Sequence, residues 1–228
     1  MVEIIKLEWK KNNIIKYMRN AAIMSGAIIV LLLVVIGEMG TGGKIDLNNK
    51  HVLYVSIELS TNMSYIIFAS VMMASFIISG YKNKTIYIML SYPIKRQKIL
   101  LAQMLSVWTF NIAALIITKL LAYGIFSFVS RFIDVDMRGV NFSEFSFYSQ
   151  IIISSIMMIS ICFIALLVGV KMKSSKATIV SSVILVCLTQ GNIGAYTLVD
   201  NLAFYIILFI LSIISVFLTT YNIEKVDI

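Results

Sequence analysis

Apolar runs of bilayer length recur along this chain with only short polar segments between them, and they restrict its fold before any motif is considered. The first, 21–39, reads AAIMSGAIIVLLLVVIGEM and carries one acid, Glu38, at its far end. Others stand near 62–80, 99–130, 150–170, from Ala177 to near Thr189, and over 201–220. A bilayer hydrocarbon core takes roughly 20 apolar residues per helix. Within it each backbone N–H and C=O must find a partner inside the protein, which the helix provides from its own segment. The expected fold class is an all-α polytopic membrane protein with six transmembrane helices over 21–220. Those spans and their connections account for 228 residues, so one transmembrane domain over 1–228 is expected, without a separate soluble domain. Composition agrees: 60% of residues are hydrophobic and 13% charged, too few charges to solubilise that much apolar surface.

The net charge of +8 would suggest nucleic acid in a soluble protein, but its placement favours membrane topology instead. Segments 1–20, 81–98, 171–176 and 221–228 hold 14 Lys and Arg, whereas the alternate segments hold Lys44, Lys50, Arg131 and Arg138. By the positive-inside rule this bias puts both termini in the cytoplasm. The acids Glu38, Asp46, Glu58, Asp134, Asp136, Glu144 and Asp200 then all fall outside. A multi-pass location in the cell membrane is expected, and no nucleic-acid partner is expected. The basic start leads into an apolar run without a small-residue cleavage pattern, so no cleavable signal peptide is expected.

Residues 1–20 have helical periodicity. Ile4, Leu7, Ile14, Ile15 and Met18 fall in one sector, with Glu3, Lys6, Lys10 and Asn13 opposite. This predicts a helix lying in the cytoplasmic interface, with a plain basic flank of the first span as the alternative. The run 99–130 is too long for one crossing: a helix of that length measures about 48 Å against a core of about 30 Å. The third span is therefore expected to end near Lys119, at the outer interface, with 120–130 bending into the interface or standing above it. Lys119 then has two readings: a lysine snorkelling at the outer interface, or a charge facing the bundle interior to meet substrate or a partner subunit.

Chemistry is sparse. His51 is the one histidine, and Cys162 and Cys187 lie in apolar runs, where they read as small hydrophobes. No GxSxG, HExxH or GxxxxGK[ST] occurs, and no acid lies clearly inside an expected span. No catalytic residue, metal site or bound cofactor is expected, and the chain reads as non-catalytic. The halves show no internal repeat, which disfavours a transporter built of inverted repeats.

The 81–98 segment is the most informative. Tyr81, Thr85, Ile88, Met89 and Tyr92 mark one helical sector. Pro93, the one proline, disfavours the α conformation at Tyr92 and stops that helix. Lys95, Arg96 and Lys98 follow as the basic start of the third span. A membrane-surface flank attracted to anionic lipid is an equally compatible description.

At this segment, Thr85-Ile86-Tyr87-Ile88-Met89-Leu90-Ser91-Tyr92-Pro93-Ile94-Lys95-Arg96, the chain resembles the permease subunits of ABC-2 type ABC transporters (type V exporter-like). There a Thr and apolar residues precede Leu-Ser-x-Pro-Ile-x-Arg and the third span. The layout agrees along the whole chain, although the motif covers about a dozen residues. Two positions depart: Gly80-Tyr81-Lys82 stands where an acid is common, and Gln103 where a Lys is common.

The resemblance implies a cytoplasmic coupling helix near 82–92 that docks on a separate ATPase subunit through Thr85, Ile88, Met89, Leu90, Pro93, Ile94 and Arg96. ATP and Mg would be bound by that ATPase alone. It further implies a second permease copy or a paralogue, and export of, or protection against, antimicrobial or other amphipathic peptides. The scarcity of polar residues in the spans suits a substrate taken from lipid. Small-residue pairs Ser70/Ala74 and Ser75/Ser79 permit close helix approach, within one chain or between two. The alternative function is the substrate-binding membrane subunit of an ATPase-coupled vitamin importer, which would hold its ligand by itself.

The charge bias is testable by labelling. Cysteines placed in 44–56 and 134–146 are expected to react with an impermeant reagent from outside the cell, and those in 82–96 and 171–176 are not. Labelling of 82–96 from outside would overturn the orientation.

Overall fold

The computed structural model describes residues 2–42, 52–78, 96–129, 145–190, 192–193, 196–197 and 202–225. They are almost entirely helical. Helix α1 is Val2–Lys11, α2 Ile14–Gly42, α3 Val52–Met73, α4 Arg96–Val129, α5 Phe145–Lys171, α6 Ser175–Gln190 and α7 Leu202–Lys225. Between α6 and α7, strands β1 (Asn192–Ile193) and β2 (Tyr196–Thr197) pair antiparallel, Asn192 opposite Thr197 and Ile193 opposite Tyr196. Among the described residues five helices are long and apolar enough to cross a membrane: Ile14–Val35, Tyr54–Ile78, Gln97–Val129, Phe145–Lys171 and Phe204–Tyr221. They mark a helical membrane protein. Helix α6, with 16 residues, spans about 24 Å and falls short of that length.

Several sequence boundaries move. The N-terminal segment is not one helix over 1–20. It ends at Lys11, and Asn13 takes a left-handed backbone (φ 50°), a conformation Asn tolerates better than most residues. Residues 14–20 are then the first turns of α2. Leu7, Ile15 and Met18, from the expected apolar sector, are exposed, while Glu8 is buried. Helix α3 begins ten residues before the expected second span, because Ser56, Glu58, Ser60, Thr61 and Asn62 break its hydropathy without breaking its helix. Helix α4 runs unbroken through Lys119 to Val129, 34 residues or about 51 Å, so 120–129 continue the helix rather than bend from it. The short connection at 171–176 matches expectation. Lys173 adopts φ 48°, and the Lys173 and Ser174 amides donate to the carbonyls of Val170 and Gly169, closing the end of α5.

The chain divides into two compact units. One comprises 15–64 and 113–155, and the other 1–14, 65–112 and 156–228. In the first, Ile28, Ile29 and Leu32 of α2 pack with Ile57 of α3, Ala122, Tyr123 and Phe126 of α4, and Ile151 of α5.

In the second, α3 ends in a π-helical turn, Ala74–Ile78, that packs against α6. Ser70 and Ala74 are buried here, so this small-residue pair serves packing within the chain. Cys162 is buried with its Sγ 3.8 Å from Met73 Sδ, and both cysteines are free thiols. On α7, Ser212, Ser215 and Thr219 are buried and return their hydroxyls to their own helix. Ile207, Ile210, Ile214 and Phe217 are exposed, a face suited to lipid.

Gly169 sets the approach of α5 to α6. A Cβ there would overlap Thr178 Oγ1 and lie 2.7 Å from Ile78 Cδ1 in the π turn. Gly169→Ala is expected to cost about 1–3 kcal/mol, the usual range for overpacking. Thermal unfolding in mild detergent should show the loss, and a second change, Thr178→Ala, should recover part of it.

Candidate functional site

The strongest polar feature lies wholly within the unit formed by 15–64 and 113–155. Tyr54, Ile57, Glu58, Thr61 and Asn62 recur at helical spacing on α3, so one face of an apolar helix carries a carboxylate. On α4, Leu115, Thr118, Lys119, Ala122, Tyr123 and Phe126 form the buried face. These faces bring Lys119 Nζ to 2.6 Å from Glu58 Oε2. The Lys119 side chain has no accessible surface, and Glu58 keeps 12% of its own.

Neighbouring donors complete the arrangement. Ser154 of α5 accepts from Lys119 Nζ at 3.2 Å and donates to Glu58 Oε2 at 3.2 Å. Asn62, one turn along α3, donates through Nδ2 to the same oxygen at 3.2 Å. The Tyr123 hydroxyl donates to Oε1 at 3.4 Å. Tyr123 in turn stacks with Tyr54, ring centroids 6.1 Å apart, and meets Phe147 edge-on at 5.1 Å. An unpaired charge at this depth is expensive, and the geometry offsets that cost by pairing opposite charges and supplying further hydrogen bonds to the carboxylate.

The snorkelling reading of Lys119 is thereby set aside: the residue is buried between α3, α4 and α5. Its partner is Glu58, which the sequence reading had placed in an outer loop. The signal that could have found it is the stripe Tyr54, Ile57, Glu58, Thr61, Asn62, Tyr65, with i, i+3, i+4 spacing running unbroken into the apolar run. Of the coupling residues, Thr85, Ile88, Met89, Leu90, Pro93 and Ile94 lie outside the described residues. Arg96 is the first residue of α4, with its side chain outside the described set.

A second polar contact was not anticipated. In the other unit, the buried Glu8 of α1 accepts from Gln103 Nε2 of α4 at 3.3 Å, from Asn12 Nδ2 at 3.2 Å, and from Lys11 Nζ at 3.5 Å. Trp9 Nε1 donates to the Ser106 carbonyl at 3.1 Å. Gln103 thus holds the N-terminal helix to α4.

Comparison with known proteins gives one measured likeness. The chain is 23% identical over 207 residues to YcbO of Bacillus subtilis (strain 168), described as an uncharacterized protein, covering 86% of this chain and 87% of that protein. No family model matches the chain, and no solved structure matches it.

Breaking the pair from one side leaves a buried charge alone. Lys119→Met or Glu58→Gln is each expected to cost about 3–5 kcal/mol, and the double variant far less than the sum. Unfolding of the four proteins in detergent, taken as a double-mutant cycle, measures that coupling; additive losses would show that the charges do not depend on each other.

Proposed function

We propose that this chain is the transmembrane permease subunit of an ATP-driven ABC-2 type exporter that moves amphipathic or antimicrobial peptides, or other hydrophobic compounds, out of the cytoplasm or membrane. The observation that carries the reading is the junction at Pro93–Arg96. The Leu-Ser-x-Pro-Ile-x-Arg sequence runs directly into α4, which begins at Arg96, and the same helix carries Lys119. A cytoplasmic contact at 85–96 would thereby bear on the helix that holds the buried ion pair. In this reading six segments cross the membrane, α6 being the fifth, with β1 and β2 in the outer segment that follows it. Both termini are cytoplasmic, and the basic segments face the anionic leaflet. Nucleotide chemistry belongs to a separate ATPase, and a second permease copy or paralogue completes the transporter.

The coupling assignment has a direct test. A charge placed at Ile88 or Met89 would have to be desolvated in the ATPase contact, at a cost of several kcal/mol if unpaired. Ile88→Glu, Met89→Glu is therefore expected to insert normally yet fail to co-purify with the ATPase, or to leave hydrolysis uncoupled from transport. Normal complex formation and transport by a well-expressed double variant would reject the coupling helix and leave 81–98 as a lipid-facing flank.

A further inference from the structure

The Glu58 carboxylate is loaded unevenly. Lys119 Nζ, Ser154 Oγ and Asn62 Nδ2 all converge on Oε2, at 2.6, 3.2 and 3.2 Å. Among the described residues Oε1 accepts from Tyr123 alone, at 3.4 Å, beyond the usual hydrogen-bond range. A carboxylate offers about four lone-pair positions, so Oε1 keeps unused acceptor capacity. Asn62 is 3% exposed, and its Oδ1 has no partner among the described residues. Residues at i and i+4 are neighbours on a helix face, so the two underused acceptors belong to one locality on α3.

Access is one-sided as well. Lys119 is sealed while Glu58 is not, so a group reaching the pair meets the carboxylate first. The ring that supplies the weak donor belongs to the Tyr54–Tyr123–Phe147 aromatic group, and aromatic faces attract cations.

We propose that the weakly loaded Oε1 edge of Glu58, with Asn62 Oδ1 and the Tyr54–Tyr123 rings, is a recognition site for a primary ammonium group on an amphipathic substrate, such as a peptide lysine or amino terminus. Its assignment to substrate rests on the permease reading. An ammonium brings three N–H donors, enough for Glu58 Oε1 and Asn62 Oδ1 with one remaining toward the rings. Lys119 occupies the Oε2 edge of the carboxylate, so the entering charge is received on the Oε1 edge. The site thus selects for a donor group carrying positive charge at the head of an apolar body, without displacing the pair that holds the helices together.

The test needs only the purified chain in phosphatidylcholine nanodiscs, whose lipid lacks a primary ammonium. Dodecylammonium is the probe and uncharged dodecanol its control, with thermal unfolding as the readout. Saturable stabilisation by dodecylammonium but not dodecanol is expected for the natural protein. In Glu58→Gln, Lys119→Met, which leaves no buried charge alone, the two compounds should act alike. Asn62→Leu keeps the ion pair and should weaken the probe about tenfold, the loss of one hydrogen bond to a charged group; it serves where the double variant does not fold. Equal shifts in natural and variant proteins, or equal shifts with dodecanol, would overturn the site and leave a purely structural ion pair. Loss of the probe's effect in phosphatidylethanolamine nanodiscs would overturn the substrate assignment in favour of a lipid headgroup. Because no ATPase enters this experiment, its failure leaves the ATPase partnership standing, and failure of co-purification leaves the ammonium site standing.

Discussion

A carboxylate and an ammonium placed separately on apolar helices would each carry a desolvation cost of several kcal/mol, and the 2.6 Å contact between Glu58 and Lys119 makes both tolerable. The contact also sets register. Sliding α4 by one turn along α3 would move Nζ by about 5 Å and leave two charges unpaired in an apolar interior. Rotating either helix would turn Tyr123 or Ile57 out of the core they share with Ile28, Leu32 and Ile151. Ser154 extends the constraint to α5, because its hydroxyl serves both partners of the pair. Hydrophobic side chains alone discriminate poorly between such arrangements when the surroundings are equally apolar, so polar contacts and close packing specify helix neighbours.

The other unit solves the same problem with different groups. Around Glu8 the partners are an amide, a surface lysine and an asparagine, which suits a carboxylate near a helix terminus better than a fully buried counter-ion would. Close approach of α5 and α6 comes from the absence of a side chain at Gly169 and from the serine and threonine hydroxyls nearby. Ser181 donates to the Ala165 carbonyl across that contact, at 3.3 Å. The π turn at Ala74–Ile78 places Phe76, Ile77 and Ile78 all in buried positions, which the spacing of a regular α-helix would not readily do.

For the permease reading, the consequence is mechanical. A transporter helix that moves must keep its buried charges satisfied throughout, and a pair that shares one carboxylate oxygen with Ser154 and Asn62 retains partners through small displacements. The uneven loading of Glu58 then appears as the feature by which the same residues serve both support and recognition. Helix α4 would be the element common to both roles, since it starts at Arg96 and carries Lys119 and Tyr123.

Composition and the recurrence of apolar runs by themselves determined a helical membrane protein, because lipid leaves a chain so poor in charge few other ways to satisfy its backbone. The short 171–176 turn was legible for the same local reason, as were the burial of Cys162 and the start of the third long helix at its basic flank. Helix ends were less legible. Hydropathy reports the cost of leaving water, and it misjudged 52–61, where Glu58 is met by partners from other helices and Thr61 returns its hydroxyl to its own helix. The N-terminal break came from Asn13, whose left-handed backbone overrides an amphipathic pattern that would otherwise continue. Whether Lys119 faced lipid or protein, and whether Glu58 was a loop acid or its counter-ion, only tertiary structure could decide. The two lie 61 residues apart, and the energy of a charge in an apolar interior is set by what stands beside it in space.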